Sequence, residues 1–192
     1  MKILKIEWLG PYGWPTLAGG LPPIPKLPGI YLWTVEYQNG YLIYAAGVTR
    51  RSMPERFREH THEYMNGVYN VLDIGAMKKG IRKEVWHGFW MMKNRSPKKQ
   101  KEYDTRRLLI DKAARKQLAG FRVFAANIGT QPRILERLEA AIMENLYKQL
   151  KPVSDIPDKG MMLAPRWKSE SPILVKSKCS AIIHGLPVYL EI

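Results

Sequence analysis

The sequence predicts an α+β fold in which a small antiparallel β-sheet, of about three core strands, is flanked by helices. Residues 29–35 and 41–44 are rich in aromatic and β-branched side chains, and the Asn-Gly pair between them is a strong hairpin signal. A third segment, 120–128, alternates apolar and polar residues. Apolar residues then recur every three or four positions from 132 to 150, as in an amphipathic helix.

The N-terminal part of the chain offers weaker patterns. Residues 2–8 alternate enough to predict a short strand, and residues 9–28 are so rich in Gly and Pro that we expect an irregular arm. Trp14 and Leu21 are its expected anchors. Such an arm either contacts a partner or wraps the core, and the sequence leaves both interpretations open.

A basic helix is expected directly after the hairpin. Ser52 can cap its N-terminus, and Pro54 suits its first turn. The helix should run through Arg56 to His60, and these two side chains then lie one turn apart on the same face.

The middle and the tail of the chain are harder to interpret. A basic loop is expected at 93–101, and a helix at 101–118 with an apolar stripe of Leu108, Leu109, Ala113 and Leu118. The tail is expected to be irregular, with short strands near 173–175 and 186–192.

These elements predict one domain with several parts. The expected parts are a core at about 28–60 and 120–155, a basic insertion at about 61–118, an N-terminal arm at 1–27 and a C-terminal extension at 156–192.

The charge of the chain is concentrated in one segment. Of a net +14, the stretch 50–116 carries +10, with 18 Lys and Arg against 8 Asp and Glu. Charge clustered in this way favours a polyanion such as double-stranded DNA, and a merely solubilising surface is the alternative. The expected phosphate contacts are Lys78, Lys79, Arg82, Lys83, Lys98, Lys99, Lys101, Arg106 and Arg107. Phosphate contacts position DNA without reading its sequence, and the side chains eligible for base contacts include Asn94, Arg95 and Gln100.

Cysteine usage and hydropathy predict the compartment. A single cysteine, Cys179, excludes a disulfide framework and a Cys-rich zinc site. The N-terminal apolar run is too short for a signal peptide, and no segment approaches the ~20 apolar residues of a membrane span. We therefore expect a cytoplasmic protein with no membrane partner.

Four motifs, in order, resemble the catalytic core of the GIY-YIG nuclease family. Gly-Ile-Tyr at 29–31 matches the first tripeptide, and Tyr-Ala-Ala-Gly at 44–47 is one residue longer than the second, an excess that a β-bulge can absorb. Gly-Val-Thr at 47–49 matches the Gly-x-Thr that usually follows. Arg56 and His60 are similar to the Arg-x-x-x-His of many members.

The resemblance implies five catalytic residues: Tyr31, Tyr44, Arg56, His60 and Glu139. One tyrosine would take a proton from water, and which one stays open. The guanidinium would hold phosphate oxygens, and the imidazole would share a proton with a tyrosine or contact phosphate.

The glutamate of the late helix would be the metal ligand. Mg²⁺ needs few protein ligands, so Glu139 alone can suffice, with Mn²⁺ as a substitute. Glu144 is the alternative ligand. Lys151-Pro152 resembles the motif that closes the family core, with Asp155 where the family usually has Asn.

The resemblance, together with the basic insertion, implies a metal-dependent DNA endonuclease most like the type II restriction enzymes of this family. Such an enzyme would hydrolyse the phosphodiester in one step with inversion at phosphorus and would act as a homodimer on DNA. A homing or repair nuclease with the same core is one alternative. A nucleic-acid-binding module without catalysis is another.

Overall fold

The computed structural model describes residues 2–17, 19–90 and 95–192, which form a mixed α+β fold. Its strands are β1 (Lys2–Gly13), β2 (Gly29–Tyr37), β3 (Gly40–Thr49), β4 (Val71–Leu72), β5 (Glu84–Trp86), β6 (Phe121–Ala126), β7 (Ile173–Cys179), β8 (Ile183–His184) and β9 (Tyr189–Glu191). Its helices are α1 (Met53–Met65), α2 (Ile74–Met77), α3 (Pro97–Gly120) and α4 (Pro132–Tyr147).

The prediction of a small three-stranded sheet is wrong. Seven strands form one sheet in the order β8-β3-β2-β6-β1-β7-β9, which curls into a half-barrel. The three expected strands, β3, β2 and β6, are adjacent and antiparallel within it. The sheet extends beyond them because β1 pairs with β6 on one side and, in parallel, with β7 on the other.

The two ends of the chain are therefore structural parts of the sheet. β1 continues through residues expected to belong to an irregular arm, and it buries Ile6 and Trp8. β7 and β9 come from the expected extension and pair with each other. Ile192, which exchanges backbone hydrogen bonds with Ile173 of β7, is 2% exposed. The sequence predicted short strands in both regions, but it did not predict that strands some 170 residues apart pair, because such pairing leaves no local pattern.

The hairpin of β2 and β3 contains the predicted β-bulge. Trp33 pairs with Ala45 and Thr34 pairs with Ile43, so Tyr44 is the additional residue. Tyr44 and Ala45 consequently both face the cluster that contains Trp33. The bulge absorbs the extra residue of the second motif.

Helices cover both faces of the sheet. α4 packs its apolar stripe, including Leu138, Ile142 and Leu146, against one face. α1 and the insertion cover the other face, where Trp14, Phe57 and Phe121 are fully buried. The functional residues of α1 and α4 can therefore meet only at an edge of the sheet.

The insertion is built into the core, and the expected apolar stripe of its helix is wrong at Leu108 and Leu109, whereas Leu118 is buried and Ala113 packs against the core. α3 begins at Pro97, after Ser96 accepts a hydrogen bond from the Lys99 N–H at 3.1 Å. Leu108 and Leu109 are 88% and 54% exposed. The buried face is formed by Tyr103, Ile110, Ala114 and Leu118. Within the described ranges, no helix combines the length and apolarity needed to cross a membrane.

Candidate active site

A cleft of about 910 Å³ runs along the outer edge of β3. β8 pairs with Tyr41 and Leu42 of β3, and residues 44–48, beyond this pairing, line the cleft. α4 contributes one wall, and α1 with the insertion contributes another. The cleft brings together Tyr31, Arg56, His60 and Glu139, and Tyr44 also lines it.

Tyr31 and His60 form a buried hydrogen-bonded pair. The Tyr31 hydroxyl lies 2.8 Å from His60 Nε2, and both residues are at most 5% exposed. Burial raises the pKa of Tyr31 above its usual value, against the opposing effect of Arg56. Burial, and secondarily the charge of Arg56, lowers the pKa of His60 to about 3. Both groups are therefore neutral at pH 7.

The absence of a side chain at Gly47 leaves the space that the Tyr31 ring occupies. A Cβ atom at Gly47 would lie 2.4 Å from Tyr31 Cε2 and 2.6 Å from its hydroxyl oxygen. No side chain fits between the strand and the ring. The glycine of the second motif thus has a steric role in the position of the first tyrosine.

Arg56 is anchored while it faces the cleft. Its Nη1 donates to Glu59 Oε2 at 2.8 Å, and Glu59 also pairs with Arg51. The charge of the guanidinium acts to lower the pKa of both Tyr31 and Glu139. It also borders a second cavity beside Arg50. A planar cation held at this junction suits the oxygens of a phosphate.

Glu139 lies in the cleft, whereas the alternative ligand Glu144 is not among the residues that line it. Burial raises the pKa of Glu139 to about 7, against the effect of Arg56. One turn further along α4, Met143 is fully buried, and its sulfur accepts the Ala46 N–H at 3.2 Å. That position serves the core, so α4 presents one carboxylate to this part of the cleft.

Tyr44 occupies a different part of the cleft from Tyr31. The Trp33 ring stacks on both, with centroids 6.0 Å from Tyr31 and 6.4 Å from Tyr44. Burial raises the pKa of Tyr44, and the next contribution comes from Asp158. The phenol of Tyr44 therefore belongs to a group with Asp158 and Tyr64, and not to the group around Arg56.

Tyr69 and Asp158 are polar residues of the cleft that the sequence-based predictions did not include. Tyr69 reaches His60, with its hydroxyl 3.1 Å from Nδ1. Asp158 is buried beside β3, where its N–H donates to the Tyr44 carbonyl at 2.8 Å. Burial raises the pKa of Asp158 to about 6. Both residues lie in segments without a motif, and only the folded chain brings them to the cleft.

Glu139 is the carboxylate of the cleft that would hold Mg²⁺. Within the described residues, no group of three or more His, Cys, Asp or Glu side chains is arranged to hold a metal. Mg²⁺ keeps most of its waters and needs one or two carboxylates. Glu139 is such a carboxylate. Among the described residues it forms no salt bridge shorter than 4 Å, so no close cation offsets the cost of burying its charge.

The expected DNA contacts divide into two groups. Six of the eight principal candidates have internal partners: Lys78 with Glu36, Lys99 with the Gly88 carbonyl, Arg106 with Glu102, Arg82 with the carbonyls of Ile156 and Pro157, and, in longer ion pairs, Lys83 with Asp73 at 4.0 Å and Arg107 with Asp111 at 3.8 Å. Lys79 and Lys98, as well as Lys101, are exposed, and Lys83 and Arg107 are exposed despite their ion pairs.

The residues considered for base contacts have other positions. Arg95 lies 4.4 Å from the Phe89 ring centroid, and Gln100 bonds to Asp104. Asn94 lies outside the described residues.

No protein-family model matches the chain, and neither a curated protein nor a solved structure matches it. The functional assignment rests on the cleft itself.

Proposed function

We propose that this protein is a metal-dependent endonuclease that hydrolyses phosphodiester bonds of double-stranded DNA with a GIY-YIG-like catalytic core. The carrying observation is that one cleft holds a carboxylate, a guanidinium and a tyrosine–histidine pair, contributed by α4, α1 and β2. Phosphodiester hydrolysis needs a cation ligand, a phosphate clamp and a proton acceptor, and these groups supply all three.

Each residue has a defined role in the proposed reaction. Arg56 holds the oxygens of the scissile phosphate, since its fork matches their geometry and its charge opposes theirs. Glu139 would hold Mg²⁺, which neutralises the leaving oxygen when bound. Tyr31 accepts the proton of the attacking water while its own proton passes to His60 Nε2 at 2.8 Å. A neutral imidazole with a pKa near 3 is present at pH 7 to receive it.

Duplex DNA is the proposed substrate because the protein is strongly basic and because cationic side chains line the cleft. The net charge is +14, and the cleft continues past Arg56 into a cavity bordered by Arg50 and Arg51. Arg82 and Lys159 line the cleft itself. A phosphate backbone following this edge meets cations before and after Arg56.

The test is digestion of unmethylated plasmid DNA with Mg²⁺. We expect discrete fragments from wild type, loss of cleavage with EDTA, and loss of cleavage in Glu139→Ala while DNA binding persists. The control is Glu136→Ala, one turn earlier on α4, where the carboxylate pairs with Arg133 at 2.8 Å.

The other outcomes separate the alternatives. Nicks or a smear would move the assignment from restriction to repair. Absence of cleavage with every divalent metal, despite binding, would identify a catalytically inactive DNA-binding module. Cleavage by Glu139→Ala at the wild-type rate would reject the assignment of Glu139 as the metal ligand.

Restriction-type cleavage of both strands further implies two copies of the cleft. A two-fold dimer on DNA provides them with one site in each protomer. Analytical ultracentrifugation with a cleavable duplex in Ca²⁺ should give two protomers per duplex, and one protomer per duplex would contradict the dimer.

A further inference from the structure

The hydrogen bonds around His60 determine which ring nitrogen carries its proton. The Arg56 guanidinium is a permanent cation whose charge opposes the rise in the pKa of Tyr31, so the lone pairs of the Tyr31 oxygen are turned towards Arg56 and its hydrogen is turned away. The remaining hydrogen of the Tyr31 hydroxyl then points to His60 Nε2, 2.8 Å away. A nitrogen that accepts a hydrogen bond in a neutral imidazole is unprotonated, so the proton lies on Nδ1.

The nitrogen that carries this proton faces the insertion. Nδ1 lies 3.1 Å from the hydroxyl of Tyr69, which lines the cleft and is half-buried. The Tyr69 oxygen can accept the Nδ1–H, and its own hydrogen remains available to the cleft. Tyr31, His60 and Tyr69 thus form one continuous chain of hydrogen bonds from a buried phenol to the solvent side.

We propose that Tyr69 is a positioning residue that holds His60 in the Nδ1–H tautomer and completes a proton path from Tyr31 to the solvent of the cleft. The proposal rests on the proposed function for its kinetic consequence, but the tautomer is a property of the uncomplexed protein. It assigns a role in the site to a residue of the insertion.

The proton balance explains why a second tyrosine is needed. When water attacks, its proton moves to the Tyr31 oxygen, the Tyr31 proton moves to Nε2, and Nδ1–H moves to the Tyr69 oxygen, whose hydrogen leaves to solvent. The water oxygen bonds to phosphorus, the bond from phosphorus to the leaving oxygen breaks, and the leaving oxygen takes one proton from solvent, which balances the proton released through Tyr69. The three side chains end neutral, with the His60 proton now on Nε2. Without the last transfer the ring would become an imidazolium, which its burial strongly disfavours. The charged and titratable groups that face the chain are Arg56, Glu59, Glu63, Tyr64, Glu139 and Asp158.

The first experiment measures the tautomer by ¹⁵N NMR of histidine-labelled protein without DNA or metal. His60 signals are assigned by their loss in His60→Gln. We expect the Nδ1–H form in wild type and a mixture of both tautomers in Tyr69→Phe. The matched control is Tyr103→Phe, another tyrosine next to the insertion core, whose hydroxyl donates to the Met65 carbonyl at 2.8 Å. It should keep the wild-type tautomer.

An Nε2–H form in wild type, or an unchanged tautomer in Tyr69→Phe, would overturn the proposal. These results do not depend on cleavage, so they remain decisive if the protein proves not to be a nuclease.

The second experiment is single-turnover cleavage of DNA with saturating protein and Mg²⁺. Tyr69→Phe should cleave roughly 10- to 100-fold more slowly than wild type and Tyr103→Phe, with unchanged DNA affinity. The solvent deuterium isotope effect on the cleavage rate should be smaller for Tyr69→Phe than for wild type, because fewer protons move in the rate-limiting step of the variant. Wild-type cleavage by Tyr69→Phe would reject the proton path while leaving the nuclease assignment intact.

Discussion

At the scale of single residues, the site depends on the contact between Gly47 and the Tyr31 ring. Gly47→Ala places a Cβ 2.4 Å from that ring, so the phenol must move away from His60. We expect a loss of about 1–3 kcal/mol in the free energy of unfolding and a cleavage rate reduced by at least about 10-fold.

Urea denaturation and single-turnover cleavage measure these two effects. The control is Gly75→Ala, where the nearest atom to the added Cβ is Asp73 Oδ1 at 3.3 Å, the end of a flexible side chain. Equal activity of Gly47→Ala and wild type would show that the Tyr31 position does not matter.

Asp158 gives stability a defined dependence on pH. Burial raises its pKa to about 6, so its favourable contribution is complete below the unfolded value and is lost as the pH rises through about 6. Asp158→Asn removes the buried charge. At pH 8 the variant should exceed wild type by roughly 1–3 kcal/mol in the free energy of unfolding, and the difference should vanish near pH 4.

Thermal and urea unfolding at several pH values test this expectation. Asp155→Asn is the control, because Asp155 forms an exposed pair with Lys151 at 3.1 Å and such pairs contribute little. A stability difference for Asp158→Asn that stays constant from pH 4 to pH 8 would contradict the burial argument.

At the scale of elements, α3 shows where sequence patterns mislead. Leu108 and Leu109 suggested an apolar stripe, but the helix starts at Pro97 and its buried face is set by what it packs against. Ile110→Ala should therefore lower the free energy of unfolding by about 2–4 kcal/mol, while Leu108→Ala should change it by less than about 0.5 kcal/mol. Urea denaturation of both variants checks this, and similar losses would place the stripe where the pattern suggested.

The hairpin and α4 show the opposite case. Asn-Gly set the turn, and the apolar period of α4 gave its start at Pro132, because both signals are local. The choice of Glu139 on that helix came from the resemblance to the helix glutamate of the GIY-YIG core. Its companions Tyr69 and Asp158 had no comparable signal, since long-range folding places them in the cleft.

At the scale of the whole molecule, the sequence predicted the middle of the sheet and missed its extent. The parallel pairing of β1 with β7 joins the two ends of the chain, and neither strand carries a pattern that names its partner. The expected arm and extension are thus required for the sheet. Local signals fix elements, but only burial of Ile6, Trp8 and Val175 between them fixes this pairing.

The distribution of cations predicts how DNA affinity responds to salt. Arg50 borders the cavity beside Arg56, and Lys159 lines the cleft itself. Substituting either by Ala should weaken binding and reduce the slope of log affinity against log salt by about 1. Lys178→Ala, on β7 at the far side of the sheet, should leave the slope unchanged. Fluorescence anisotropy across salt concentrations measures these slopes. Equal slopes for all three variants would contradict the proposal that DNA binds in the cleft.

The most direct test of the central claim compares Glu139→Gln with Glu144→Gln in single-turnover cleavage of a duplex with Mg²⁺. Both changes are isosteric and lie on α4, but only Glu139 lines the cleft. We predict that Glu139→Gln loses at least about 100-fold in rate with its DNA affinity retained, and that Glu144→Gln cleaves like wild type. Equal rates for the two variants would contradict a metal-dependent nuclease site at this cleft.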